Sequence, residues 1–211
     1  MARAERQPIL FCFCGPAASG KSTIANAVAS TDPRTMLSIS TTTRAPRGAE
    51  RDGIEYHFVS HEEFTNRIRS GAFIEHAEYS GKLYGTEKRN VLDASANGKD
   101  LLLDIEVEGV KQMKQLYGPA VVTIFVFPPS LAVLEERLRK RGTEDEQKIQ
   151  SRLNIARAEI AVLRSSGFSD YLIVNDDLAA GIESAFAIVR AERIRFTRAP
   201  SEQIERVFGG G

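Results

Sequence analysis

The sequence predicts an α/β fold: a core built on a parallel, doubly wound sheet, interrupted by a small mixed α/β insertion and carrying a helical lid. Three observations predict it. Short apolar runs at residues 9–14, 100–105, 121–127 and 171–174 alternate with segments of helical length, the pattern of strands buried on both faces between crossover helices. A glycine-rich turn joins the first run to the first helix. Residues 40–86 abandon this alternation for turn formers and hairpin signals, so they read as an insertion. A chain of 211 residues, 42% apolar and 27% charged, is long enough for one such core with its insertions.

The turn is Gly15-Pro16-Ala17-Ala18-Ser19-Gly20-Lys21-Ser22-Thr23, which fits G-x-x-x-x-G-K-S/T, the P-loop of nucleoside-triphosphate-binding proteins. The apolar run before it reads as a buried strand, and Ile24, Ala25, Ala27, Val28 and Ala29 open a helix after it. Such a turn points several backbone N–H groups at one spot, and the positive end of the helix dipole adds to them. Lys21 is placed on the terminal phosphates, and the Ser22 hydroxyl is a ligand for Mg²⁺. Nucleotide binding follows; the acceptor of the phosphate does not.

The remaining elements come in order. Residues 36–40 read as a second strand. A polar stretch follows, in which Asp52-Gly53 favours a tight hairpin turn, and 54–59 alternates as a strand. Ser60-His-Glu-Glu63 is a capping box opening a helix to Arg69, with Gly71 as its stop. Residues 73–79 and 82–84 form a hairpin around Ser80-Gly81. A helix over 86–96 ends at Asn97-Gly98, and the strand from Asp100 ends in an acid, Asp104. Helices are expected over 107–117, 130–141, 144–164 and 178–196, and the tail beyond is expected to fray.

Composition narrows the partners. Lys plus Arg and Asp plus Glu are 28 each, so bulk charge gives no reason to expect a nucleic acid or an acidic membrane. No apolar run approaches the roughly 18 residues of a membrane span, and Met1 to Pro8 contain no apolar stretch of a signal peptide, so a cytoplasmic protein is expected. Cys12 and Cys14 share a strand face and suit the core better than a disulfide or a metal pair. His57, His61 and His76 lack ligand-like spacing.

Three groups carry candidate chemistry. Arg44 and Arg47, with Tyr56 and Tyr84 further on, are either a solvated arginine loop or a clamp for a second phosphate, since guanidinium forks match phosphate geometry. Arg137, Arg139, Lys140, Arg141 and Arg152 crowd around Gly142-Thr143. They are either a surface helix paired with nearby acids or a lid whose arginines stabilise a transferring phosphoryl group. Asp104 is either a strand-end acid of the Walker B kind or a cap on the next helix.

Several separate stretches resemble one family, in its order and spacing, from about residue 8 to 195. They are Gly15-Pro…Gly20-Lys-Ser-Thr23, Ser38-Ile-Ser-Thr-Thr-Thr-Arg44-Ala-Pro-Arg47 and Gly53-Ile-Glu-Tyr56-His-Phe58. Phe73-Ile-Glu75, Tyr84-Gly-Thr86, Arg137-Leu-Arg-Lys-Arg141-Gly and Val174-Asn175-Asp176 complete the set. The family is guanylate kinase. The resemblance implies ATP-dependent phosphorylation of GMP, and dGMP, with ATP as co-substrate and Mg²⁺ as cofactor. It implies a P-loop core (8–39, 87–129, 158–195), a GMP-binding insertion (40–86), a lid (130–157) and a flexible tail (196–211). Arg44, Arg47, Tyr56 and Tyr84 would hold the GMP phosphate, with Glu50 and Asp104 also in the GMP site. Ser40, Glu75 and Thr86 would read the guanine, whose N1–H and 2-amino donors a carboxylate accepts and adenine lacks. Glu75 is expected to project into a solvent-accessible cleft. Arg137, Arg141 and Arg152 would be the lid arginines, acting with Lys21 and Arg44 in catalysis, and Asn175 would lie near the adenine.

Three departures stand out. Ala17-Ala18 replaces a common Ser-Gly pair, with little loss expected because backbone N–H groups hold the phosphates. Gly48-Ala-Glu50 stands where Pro-Gly-Glu is common. Asp104-Ile-Glu106 has its longer acid second, which leaves the Mg²⁺ role open between Asp104 and Glu106. A non-catalytic interaction module of similar fold, or a kinase for another acceptor such as a phosphorylated sugar, are the alternatives. The intact Lys21 and Ser22 argue against the first and Glu75 against the second. The resemblance leaves monomer and homodimer equally open.

Overall fold

The computed structural model describes residues 7–142, 145–199 and 201–209. The expected lid-helix start at Glu144, Thr143 before it, and the closing Gly210 and Gly211 lie outside the described residues. The chain begins with β1 (Leu10–Cys14), passes through the glycine-rich turn into α1 (Lys21–Thr31), and returns as β2 (Thr35–Leu37). The core then resumes after the insertion with α3 (Lys88–Ala96), β7 (Asp100–Asp104), α4 (Val107–Tyr117) and β8 (Val121–Phe127). Two helices follow, α5 (Leu131–Arg141) and α6 (Glu146–Ser166), then β9 (Tyr171–Val174), α7 (Leu178–Arg193) and α8 (Ser201–Phe208).

The core sheet has the order β2-β7-β1-β8-β9, and every pairing is parallel. Its two faces explain the unbroken apolar runs. Leu10, Cys12 and Cys14 pack with Leu101, Leu103, Phe125 and the apolar faces of α3 and α4. Ile9, Phe11 and Phe13 pack on the other side with Leu102, Ile124, Ile173 and α1 and α7. A strand covered by helices on both sides needs apolar residues at every position. The two cysteines are free and buried, and burial pushes both thiols up, so neither offers a reactive thiolate.

The insertion holds β3 (Thr41–Thr42), β4 (His57–Phe58), α2 (His61–Arg69), β5 (Phe73–Tyr79) and β6 (Lys82–Glu87), with sheet order β4-β3-β6-β5. The turn Ser80-Gly81 is as expected: both residues have positive φ, 53° and 73°, which matches the twist of a two-residue hairpin. Ser60 caps α2 by accepting from the Glu63 N–H at 3.0 Å.

Several expectations are corrected. Of the expected strand 54–59 only residues 57–58 join the sheet, running parallel to β3, while Tyr56 makes an isolated parallel bridge to Asp52, so Asp52-Gly53 does not make a hairpin. The Asp52 carboxylate instead accepts from the Phe58 N–H at 2.8 Å, and Gly53 donates to the Tyr56 carbonyl, closing a local loop first. The second strand stops at Leu37. The third helix starts at Lys88, because β6 runs on through Thr86 to Glu87. The last long helix ends at Arg193, not Phe196, and the tail expected to fray carries α8. Arg198 ties the segment before α8 back to the core by donating to the buried Glu192 carboxylate at 3.1 Å.

Candidate active site

One cleft of about 1130 Å³ runs between the glycine-rich loop, the insertion and helices α5 and α6. Of the expected residues, Ala17 to Thr23, Ser40, Arg44, Arg47, Glu50, Tyr56, Glu75, Tyr84, Asp104, Glu106, Arg137, Arg141, Arg152 and Asn175 all line it. Gly15, Pro16 and Thr86 do not. Thr86 stands just behind the lining, fully buried, with its hydroxyl and N–H beside the Glu75 carboxyl, where they offset part of the rise that burial causes.

The loop end is the most charged point. Lys21 is only 9% exposed and lies 3.7 Å from Asp104 and 3.9 Å from Glu106. Burial alone would discharge this amine. The Glu106 and Asp104 carboxylates outweigh it and hold Lys21 protonated. The Ser22 hydroxyl donates to the Asp104 carboxylate, so two hard oxygen donors converge where α1 begins. Glu106 is pushed up by burial, and one of its carboxyl oxygens has no partner. Glu159 on α6 joins this group: its carboxyl is pushed up to about 8 by burial and the nearby Glu106.

Ala18 takes φ +67°, in the left-handed region that favours glycine. A Cβ there costs about 1–2 kcal/mol, so the departure at this position is less neutral than backbone binding alone suggests. Ala18→Gly is expected to stabilise the protein by about 0.5–1 kcal/mol, after the greater chain entropy glycine loses on folding is counted. An unchanged or lower urea midpoint for this variant would show that the loop carries no such strain.

Asn175 lines the cleft and also supports the loop. Its side-chain amide is buried beneath the loop and donates to the Ser19 carbonyl at 2.7 Å. Its backbone carbonyl accepts from Arg137 at 2.8 Å. Asn175 therefore links the loop to Arg137 on α5. The close fit requires glycine at position 20, where φ is +96° and a Cβ would come 2.2 Å from the Asn175 amide nitrogen.

Across the cleft, Arg44 is buried and engaged. Its guanidinium donates to Glu50 in a two-bond fork at 2.9 and 3.0 Å and to the Ala45 carbonyl at 2.8 Å. It also lies 5.2 Å from the Tyr56 ring centre. These bonds leave two of its five N–H protons for a ligand. Glu50 also accepts from the Arg47 N–H at 2.7 Å, so it shapes the arginine loop. Burial raises the Tyr56 hydroxyl to about 12, so it stays a donor.

Glu75 lines the cleft, yet it is only 4% exposed and so more deeply set than a solvent-accessible position implies. Burial raises its carboxyl to about 7. Tyr79 shares its strand face at i+4 and also lines the cleft, 5.6 Å from the Arg152 guanidinium across its ring. Sequence reading left Tyr79 out, although the period-two face of Glu75, Ala77 and Tyr79 marks it. Glu159 had no sequence signal beyond its place in a charged helix. Among the described residues no cluster of three or more His, Cys, Asp or Glu is arranged to hold a metal, and no helix is long and apolar enough to cross a membrane.

A family model described as guanylate kinase matches residues 6–192. The guanylate kinase of Anaeromyxobacter dehalogenans is 46% identical over 195 residues, spanning 92% of this chain and 85% of that one. That of Carboxydothermus hydrogenoformans is 40% identical over 187 residues, 89% and 90% of the two chains. The crystal structure of the guanylate kinase from Anaplasma phagocytophilum superposes with a TM-score of 0.75 at 30% identity, covering 96% of each chain.

Proposed function

The chain belongs to the guanylate kinase family, and we infer that it transfers the γ-phosphoryl group of ATP to GMP, and likewise to dGMP. The observation that carries the reading is one cleft with a phosphate loop on one side and the Arg44, Arg47, Tyr56 and Tyr84 group on the other. Such a cleft brings two phosphate chains end to end. A GMP phosphate oxygen forms the new bond to Pγ as the bond from Pγ to the ADP oxygen breaks. That acceptor is already an anion, so no strong base is required, and catalysis is positioning plus charge stabilisation.

The chain's residues divide as follows. The loop N–H groups hold the ATP phosphates, and Lys21, kept cationic, meets the charge that develops on them. Arg44, Arg47, Tyr56 and Tyr84 hold the GMP phosphate, and Glu50 sets the arginine geometry. Glu75 accepts from the guanine N1–H and 2-amino group, with Ser40 and Thr86 completing the frame; the place of the Thr86 hydroxyl beside the Glu75 carboxyl supports this. Arg137, Arg141 and Arg152 meet the transferring group from the lid. The Ser22 and Asp104 oxygens fit Mg²⁺, a hard cation, which supplies charge neutralisation on the phosphates when bound. Their contact favours Asp104 over Glu106 for that role.

A coupled assay of ADP release with GMP, AMP and UMP tests the function. Turnover with GMP at least a hundredfold above the others is expected, and equal or absent turnover refutes it. We also propose that the insertion and the lid close on the core when both substrates bind, because two arginine groups must meet on one phosphate chain. A smaller radius of gyration by X-ray scattering is expected with GMP and a non-hydrolysable ATP analogue. An unchanged value at saturation would refute closure.

A further inference from the structure

The helix α4 belongs to the core, yet it reaches the insertion at one strand. β5 is the outer strand of the four-stranded sheet, so its far edge has backbone groups without a strand partner. Gln112 fills that edge. Its side-chain nitrogen donates to the His76 carbonyl at 2.9 Å, and its side-chain oxygen accepts from the His76 N–H at 3.2 Å. A single amide thus pairs with β5 as a neighbouring strand would. One turn earlier on the same helix face stands Gly109. A Cβ at that position would come 2.3 Å from Oε2 of Glu75 and 3.0 Å from its carboxyl carbon. No other residue type leaves the carboxylate where it is. The two contacts grip adjacent residues, Glu75 and His76, from one helix.

We propose that Gly109 and Gln112 are positioning residues for guanine selection, fixing the Glu75 carboxylate at the depth and angle from which it reads the base. The proposal rests on the reading of Glu75 given above. A carboxylate that is 4% exposed needs its seat built for it, because it has little freedom to search for the base once GMP enters. Gly109 makes the seat and Gln112 holds the strand that delivers the side chain. The core thereby sets the specificity of a site whose reading residue belongs to the insertion.

The test measures steady-state constants of Gly109→Ala, Gln112→Ala and Glu75→Gln with GMP and with IMP, which lacks the 2-amino group, alongside thermal midpoints. Gly109→Ala is expected to raise KM for GMP about tenfold or more and to shrink the preference for GMP over IMP, with KM for ATP unchanged. Gln112→Ala is expected to shift the same quantities about three- to tenfold, and Gln112→Glu, which keeps the acceptor for the His76 N–H, to recover part of the loss. A role in stability alone would lower the midpoint and leave the GMP-to-IMP preference intact, which overturns the proposal. Should Gly109→Ala fail to fold, the Gln112 pair decides in the same way. A changed Glu75→Gln beside unchanged α4 variants refutes the positioning role only. An unchanged Glu75→Gln refutes the guanine reading itself.

Discussion

Lys21→Ala is expected to lower kcat on the order of 10²-fold or more while leaving the far-ultraviolet circular dichroism spectrum unchanged. The cation sits at the start of α1, where the loop N–H groups already point, so its removal subtracts charge stabilisation without moving the phosphates. Its surroundings predict a second effect. Asp104 at 3.7 Å and Glu106 at 3.9 Å lose their compensating charge, and Glu159 stands near them. Like charges left together in a buried place destabilise, so the thermal midpoint should fall too. Lys21 is protonated at neutral pH in both the folded and unfolded chain, so this pairing contributes fully there and weakens only as pH rises past the ordinary lysine range. Turnover near that of the wild type would overturn the assignment of the loop.

What the sequence made legible follows from how each element is stabilised. β1, β7 and β8 are buried on both faces, and their continuous apolar runs stand out from single residues upward; β9 is an edge strand with Leu172 and Val174 exposed, so its apolar run overstates its burial. The phosphate loop is fixed by local geometry, and its glycines, lysine and serine are contiguous. β3 and β4 are two residues each, too short for any period, and long-range bonds hold them: Thr42 donates to the Leu83 carbonyl at 2.9 Å. The burial of Glu75 was illegible for the same reason, since its wall is a helix more than 30 residues further along the chain. The support Asn175 gives the loop was illegible because it is long-range: its amide donates to the Ser19 carbonyl and packs against Gly20 and Gly181. The strain at Ala18 is a backbone property that side-chain chemistry does not announce.

Glu75→Ala is expected to raise KM for GMP about 10- to 100-fold, as hydrogen bonds to a charged group worth roughly 1.5–3 kcal/mol imply. KM for ATP should change little, because the loop stands across the cleft on the core. The depth of Glu75 adds a pH dependence. With its carboxyl raised to about 7 by burial, the free enzyme holds a proton there in mildly acidic solution. A protonated carboxyl presents a donor to a guanine edge that is itself all donors, so GMP must displace that proton to bind. The wild-type KM for GMP should therefore fall as pH rises through about 7 and then level off. The GMP phosphate ionises near pH 6 and contributes its own step, so Glu75→Gln is the control. Its profile should keep the phosphate step and lose the one near 7. The sign for stability is the reverse of the usual carboxylate case. The folded chain keeps a proton that the unfolded chain releases above about 4.5, so Glu75 makes the free protein less stable as pH rises from there to about 7. Glu75→Gln should flatten that decline. Wild-type affinity for GMP in Glu75→Ala, with no difference between the two pH profiles, would leave the guanine edge without its acceptor and move the search to Glu106, a half-buried carboxylate that also lines the cleft.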